Sequence, residues 1–199
     1  MRYTRIPETA FQNLQLNAGV LLSDFDPAAG TVEEADIMGA TSGGVAFAAT
    51  PEFSDFGEDI DNCPANVLEM KRLDSVKVTM SGTFITVSTT LVKDLIGAAD
   101  IDGSDPTKVV PRNDVATTDF KDIWWVGDYS DKNGETKGGF VAIHMLNGLS
   151  TGGFQLQSGN REKGQFEFEF TGHYSIKAQD TVPFEVYVKA GTDEEDAEG

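Results

Sequence analysis

The chain has 199 residues and a formal net charge of −18, from 33 acids against 15 bases. A surface with that excess repels phosphate backbones, which excludes a protein built to grip nucleic acid. No window approaches the roughly 18 consecutive apolar residues of a membrane span, and MRYTRIPETAF lacks the apolar core of a signal peptide, so cytosol-like conditions and no membrane insertion are expected.

One cysteine, Cys63, allows no internal disulfide and no thiolate metal cluster. The 21 glycines and the many Thr, Val and Phe, with few apolar runs of helical period, predict a mainly β fold, a β-sandwich or barrel with a short flanking helix. The length fits one domain over 1–191, with an N-terminal arm over about 1–15 broken by Pro7, extended loops, and a disordered acidic tail over 192–199 that holds five of the acids.

From the N-terminus, Leu14 to Leu22 reads as a strand interrupted by Gly19. SDFDPAAG (Ser23 to Gly30) is a turn segment, and Val45, Phe47 and Ala49 mark a short strand ended by Pro51. Glu52 to Pro64 reads as an acidic loop. Its Phe53, Phe56 and Ile60 are too apolar to be left in water, so they are candidates for a contact with a neighbouring subunit.

The stretch Val67 to Asp100 reads as strand, turn, long strand and short helix. Val76, Val78 and Met80 alternate with polar residues. Ser88, Thr89 or Thr90 offers a cap to a helix carrying Leu91, Leu95, Ile96 and Ala99 on one side.

ADIDGSDPTKVVPRNDVATTDF is a polar connection. Its Asp100, Asp102 and Asp105 superficially resemble a calcium loop, but the glycine and glutamate of an EF-hand are out of place. DIWWVGDYS and GFVAIHML form a hairpin around Asn133-Gly134. Adjacent Trp124 and Trp125 face opposite ways, one into the core and one, Trp125, toward an interface or a bound sugar. Phe154 and Leu156 sit on a short strand. In GQFEFEF the residues Phe166, Phe168 and Phe170 face a core while Glu167 and Glu169 face water. Val182 to Ala190 closes the sheet.

Chemistry finds little support. Gly148 to Gly152 satisfies G-x-S-x-G, but a strand rather than a helix is expected after Ser150, and neither His144 nor His173, both placed on strands, is marked as its base. No phosphate loop occurs. No enzyme activity, cofactor or metal is expected.

The succession NLQLNAGVLL, ATSGGVAFAATPEFSDFGEDIDN, MKRLDSVKVTMSGTF, KDLIGAAD, DIWWVGDYS, GGFVAIHMLNGLSTGGFQLQ, FEFTGHYS and PFEVYV resembles a major tail tube protein of long-tailed, siphovirus-type phages or a related prophage, from about Phe11 to Gly191. The resemblance implies a tail-tube-type β-sandwich that self-assembles as a homo-oligomer. Hexameric rings stack into a virion tail tube, assembled in the host cytoplasm, with tape measure, tail terminator and distal tail proteins as partners. Viral DNA would cross its negatively charged lumen without specific binding.

Lumen candidates, chosen by alternation with apolar residues on expected strands, are Glu69, Asp74, Glu167, Glu169 and Glu185. The arm, the loop Glu52 to Pro64 and the strand edges of Val67 to Val87 are the assembly candidates. The rival reading is a β-sandwich carbohydrate-binding or adhesin module using Trp125, Tyr129 and acidic loop residues.

Overall fold

A computed structural model describes residues 6–7, 10–129 and 138–191. The Asn133-Gly134 turn, the start of the arm and the acidic tail lie outside the described residues. After a 3₁₀ turn at Ala10–Asn13, the strands are β1 (Gln15–Leu22), β2 (Ile37–Gly39), β3 (Thr41–Asp55) and β4 (Lys71–Phe84). Helix α1 (Thr89–Ile96) and the small β5 (Ala99–Ile101) and β6 (Val109–Pro111) follow, then β7 (Lys121–Tyr129), β8 (Gly139–Ser150), β9 (Phe166–Gly172) and β10 (Phe184–Lys189). The fold is mainly β, a sandwich with one flanking helix.

All pairings are antiparallel, and the main sheet runs β2-β1-β7-β8-β9-β4-β3 with β10 also on β8. Strand β8 therefore belongs to two layers. Phe140 to Met145 pair with β10, and Gly148 to Ser150 pair with β9 further along the same strand. Between them Asn147 takes a left-handed φ of 49°. The sheet folds there, so that β2-β1-β7-β8-β10 faces β8-β9-β4-β3.

The space between the layers holds the main core. Leu21, Ile123, Trp125 and Met145 come from one layer; Val78, Met80, Phe84, Phe166, Phe168 and Phe170 come from the other. Phe47 of β3 meets Phe184 of β10 at 5.5 Å between ring centres, joining the layers across this space. A second, smaller core lies on the outer side of the first layer, where Phe25 covers Trp124 and Phe140 edge-on.

Helix α1 forms where its ends are satisfied. The Ser88 hydroxyl accepts from the Leu91 amide at 3.1 Å, and Gly97, at φ 84°, ends the helix earlier than the expected Ala99. Leu91 and Leu95, four residues apart on one face, are buried in the main core.

Several expectations are corrected. The strand does not stop at Pro51 but continues to Asp55, because β4 pairs with it from Gly82 to Lys71 and an edge strand offers positions where a missing N–H costs nothing. Residues from Val67 onward make a 3₁₀ turn (Leu68–Met70) and then one strand, not two with a turn between. The connection after α1 contains the β5–β6 ribbon. Phe154 and Leu156 lie in an irregular segment closed by a single bridge between Gln157 and Gln165. His173 follows the end of β9 rather than lying on a strand.

Gly19 fits where nothing else does. Its φ is +70°, and a Cβ there would come within 2.6 Å of the Trp125 ring and of the Val126 carbonyl oxygen. Gly19→Ala is expected to lower stability by about 1–3 kcal/mol, read as a fall in the urea midpoint with an altered tryptophan emission, since overpacking and a left-handed backbone penalise the same atom.

Candidate functional site

The face of β9, β4 and β3 that points away from the core is polar along most of its length. On β9 the alternation is strict: Phe166, Phe168 and Phe170 are buried and Glu167 and Glu169 exposed. The register sets Glu167 opposite Thr83, Glu169 opposite Ser81 and Thr171 opposite Thr79. Beyond β4, Ala46 lies opposite Ser81, Ala48 opposite Thr79 and Thr50 opposite Lys77. The face thus carries small or acidic side chains with one lysine in its midst.

Its hydroxyls bond laterally: Thr151 Oγ1 lies 2.8 Å from Thr171 Oγ1 and 3.2 Å from Glu169 Oε1, and Ser75 donates to Glu52 at 2.9 Å. Such a face is wetted, and a shallow hollow on it is lined by Ser81, Thr83, Gln155, Glu167 and Glu169.

Of the five acidic candidates, Glu167 and Glu169 are brought together here. Glu185 is not, because it pairs with His144 on the outer side of the other layer. Asp74 occupies an irregularity in β4 and accepts from the Ser54 hydroxyl. Glu69 sits in a 3₁₀ turn, not on a strand, which corrects the basis on which it was chosen.

The far end of the β3–β4 hairpin is apolar and exposed. Phe53 pairs with Leu73, and both are about half exposed, as are Phe56 and Ile60; Leu68 is 83% exposed. Leu68 and Leu73 are missed by a sequence reading that assigns them to a strand with an unspecified buried side. Strand β3 has a further unsatisfied feature: it pairs with β4 along one edge, and no described strand pairs with the other.

Trp125 does not reach the surface. It is 9% exposed, packs in the main core and donates its Nε1 hydrogen to the Ala18 carbonyl at 3.0 Å. Trp124 is buried too, so the expectation of one core and one interface tryptophan is corrected. Phe25 and its loop cover the second face. The sugar-stacking platform proposed from Trp125 is internal, and Tyr129 is tied through its hydroxyl to Asn13 at 3.0 Å.

Ser150 is equally committed: its hydroxyl donates to the Leu95 carbonyl at 2.7 Å, satisfying an acceptor in the last turn of α1.

The acidic connection after α1 is internally paired. Asp102 Oδ1 accepts from the Ser104 amide and hydroxyl, and Oδ2 from Lys108 at 3.1 Å. These bonds hold its carboxyl down at about 2, and the Thr107 hydroxyl and amide lower Asp105 in the same way. Asp119 is 2% exposed; burial pushes its carboxyl up, but the Ala116 amide and a bidentate Arg112 at 2.6 and 2.8 Å outweigh it, and the net shift is down. Arg112 also reaches Asp100 at 2.8 Å. The aspartates therefore pin β5, β6 and the following turn together.

Each lowered carboxyl stabilises the fold above its ordinary value of 3.8, and that contribution is lost as pH falls through the lower folded value. Arg112→Met is expected to raise the pH of the acid transition followed by far-UV circular dichroism, because a buried Asp119 without its cation is more easily protonated.

No protein-family model matches the chain, and no curated protein sequence matches it.

Proposed function

We propose that the protein is a structural subunit of a phage or prophage tail tube. Six copies form a ring, rings stack, and viral DNA passes through the hole. The observation that carries this reading is the outer face of β9, β4 and β3, with Glu167 and Glu169 among mostly small side chains and Lys77, together with a 15-residue β3 whose outer edge no described strand pairs.

A long strand edge is a liability in a monomer and a joint in a ring. Adding strand to strand between copies satisfies the free N–H and C=O groups of β3, and a heterologous contact that closes on itself leaves no edge over. The polar face then becomes a channel wall. Carboxylates at Glu167 and Glu169 repel phosphates, and apart from Lys77 the short Thr, Ser and Ala side chains of the face give DNA little with which to exchange counterions. The apolar hairpin end around Phe53, Phe56, Ile60, Leu68 and Leu73 supplies the contact between copies. Tape measure, terminator and distal tail proteins are the partners that this reading implies, and the virion tail the location.

Negative-stain images of the purified protein test the assembly: rings or tubes with a central hole are expected, and a monomer that persists at high concentration counts against it. Replacing Glu167 and Glu169 together by Lys is expected to leave folding and tube formation nearly intact and to slow DNA ejection from virions. Unchanged ejection would take this face off the channel wall.

A further inference from the structure

Strand β10 is held on one side only. It pairs with β8 from Phe184 to Lys189, no described strand pairs with its other edge, and its Val186 and Val188 are 50% and 61% exposed. Hydrophobic burial therefore contributes little beyond Phe184 and Tyr187. What fastens its other face is a cluster around His144.

The His144 ring lies flat on the Trp124 indole, with centres 3.8 Å apart and planes 6° from parallel. Its two nitrogens point at two carboxylates on two strands. Nε2 is 3.2 Å from Asp122 Oδ2 of β7, and Nδ1 is 3.6 Å from Glu185 Oε2 of β10. Both acids are held in place by other donors: the Asn147 amide donates to Asp122 Oδ1 at 3.0 Å, and the Tyr187 hydroxyl to Glu185 Oε2 at 2.5 Å.

The titratable groups facing the ring are thus Asp122, Glu185 and Tyr187. Among the described residues no lysine or arginine is paired with any of them.

Hydrogen-bond stoichiometry makes this arrangement depend on a proton. A neutral imidazole has one N–H, so whichever carboxylate it serves, the other faces a nitrogen lone pair. An imidazolium has two: Nε2–H donates to Asp122, and Nδ1–H meets Glu185 as an ion pair at 3.6 Å, beyond hydrogen-bond distance. We infer that His144 is a proton-dependent fastener of β10, tying β7, β8 and β10 together more firmly when the ring is charged than when it is neutral. Trp124 is the platform that fixes the ring between the two acids. This inference does not depend on the tail-tube reading.

The test is amide hydrogen exchange of the full chain, with rates in β10 expressed as protection factors at about pH 8 and about pH 5, the range in which imidazoles change charge. The wild type is expected to gain about two- to fivefold in β10 protection on acidification, the range of a partly exposed ion pair. His144→Gln and Glu185→Gln are expected to show none of that gain, and His173→Gln is expected to keep it. A flat profile in the wild type overturns the inference, and so does a full gain in His144→Gln. Glu185 is half exposed, so Glu185→Gln tolerates folding, and a full gain there overturns the inference independently.

Discussion

Much of the structure hangs on the bend in β8. One strand cannot present a single face to two layers unless it changes direction, and Asn147 with its left-handed backbone is where it does so. The Asn147 side chain donates to the His173 carbonyl at 3.1 Å, while its own carbonyl faces His173 Nδ1 at 3.2 Å, so the bend is bonded on both sides to the segment leaving β9. Before the bend β8 builds the layer that carries β1, β7 and β10; after it, three residues seat β9 and, through β9, the β3–β4 hairpin. The core between the layers follows from this fold in the sheet. So does the placement of α1, because Ser150 at the end of the bent strand accounts for a carbonyl of its last turn.

How much was legible in the sequence depended on which faces were covered. The Phe and Glu alternation of β9 was readable because one side is core and the other water, the condition under which a period of two means something. For the tryptophan pair the opposite condition holds. The first layer is covered on both sides, by the second layer and by the loop bearing Phe25, so adjacent residues are both buried. Glu185 shows a related gap: its alternation with apolar neighbours is real, but nothing in a short pattern states which of two layers, or which side, the strand belongs to. Pro51 was read as a stop because the edge position of β3 is a property of the whole sheet. His144 and its two acids are far apart in sequence and meet through register alone, so no local signal marked them.

The two faces of the sandwich divide the chemistry. On the β9-β4-β3 side, the acids are exposed and bonded only to hydroxyls, Glu169 by Thr151 and Glu52 by Ser75. On the β7-β8-β10 side, acids are bonded to a histidine, an amide and a phenol; Glu185 accordingly holds the Tyr187 hydroxyl above its usual value of 10.0. Negative charge therefore has two uses in the same molecule. One set stays solvated and repels, and the other is committed to internal bonds. The excess of acids over bases in the composition does not distinguish them.

The outer half of the β3–β4 hairpin has a consequence for how the chain spends its conformational freedom. From about Thr50 to Asp55 and Lys71 to Val76 the two strands pair with each other and with no third described strand; at the base, Val76 packs against the main core and the Tyr174 hydroxyl accepts from its amide at 2.9 Å. A two-stranded ribbon with exposed Phe and Leu is marginal on its own in water. A ribbon so placed needs less free energy to open than the core does. Any surface that captures this ribbon must first overcome that freedom, so contact formed there is weak for one copy and strengthens when several neighbours bind at once.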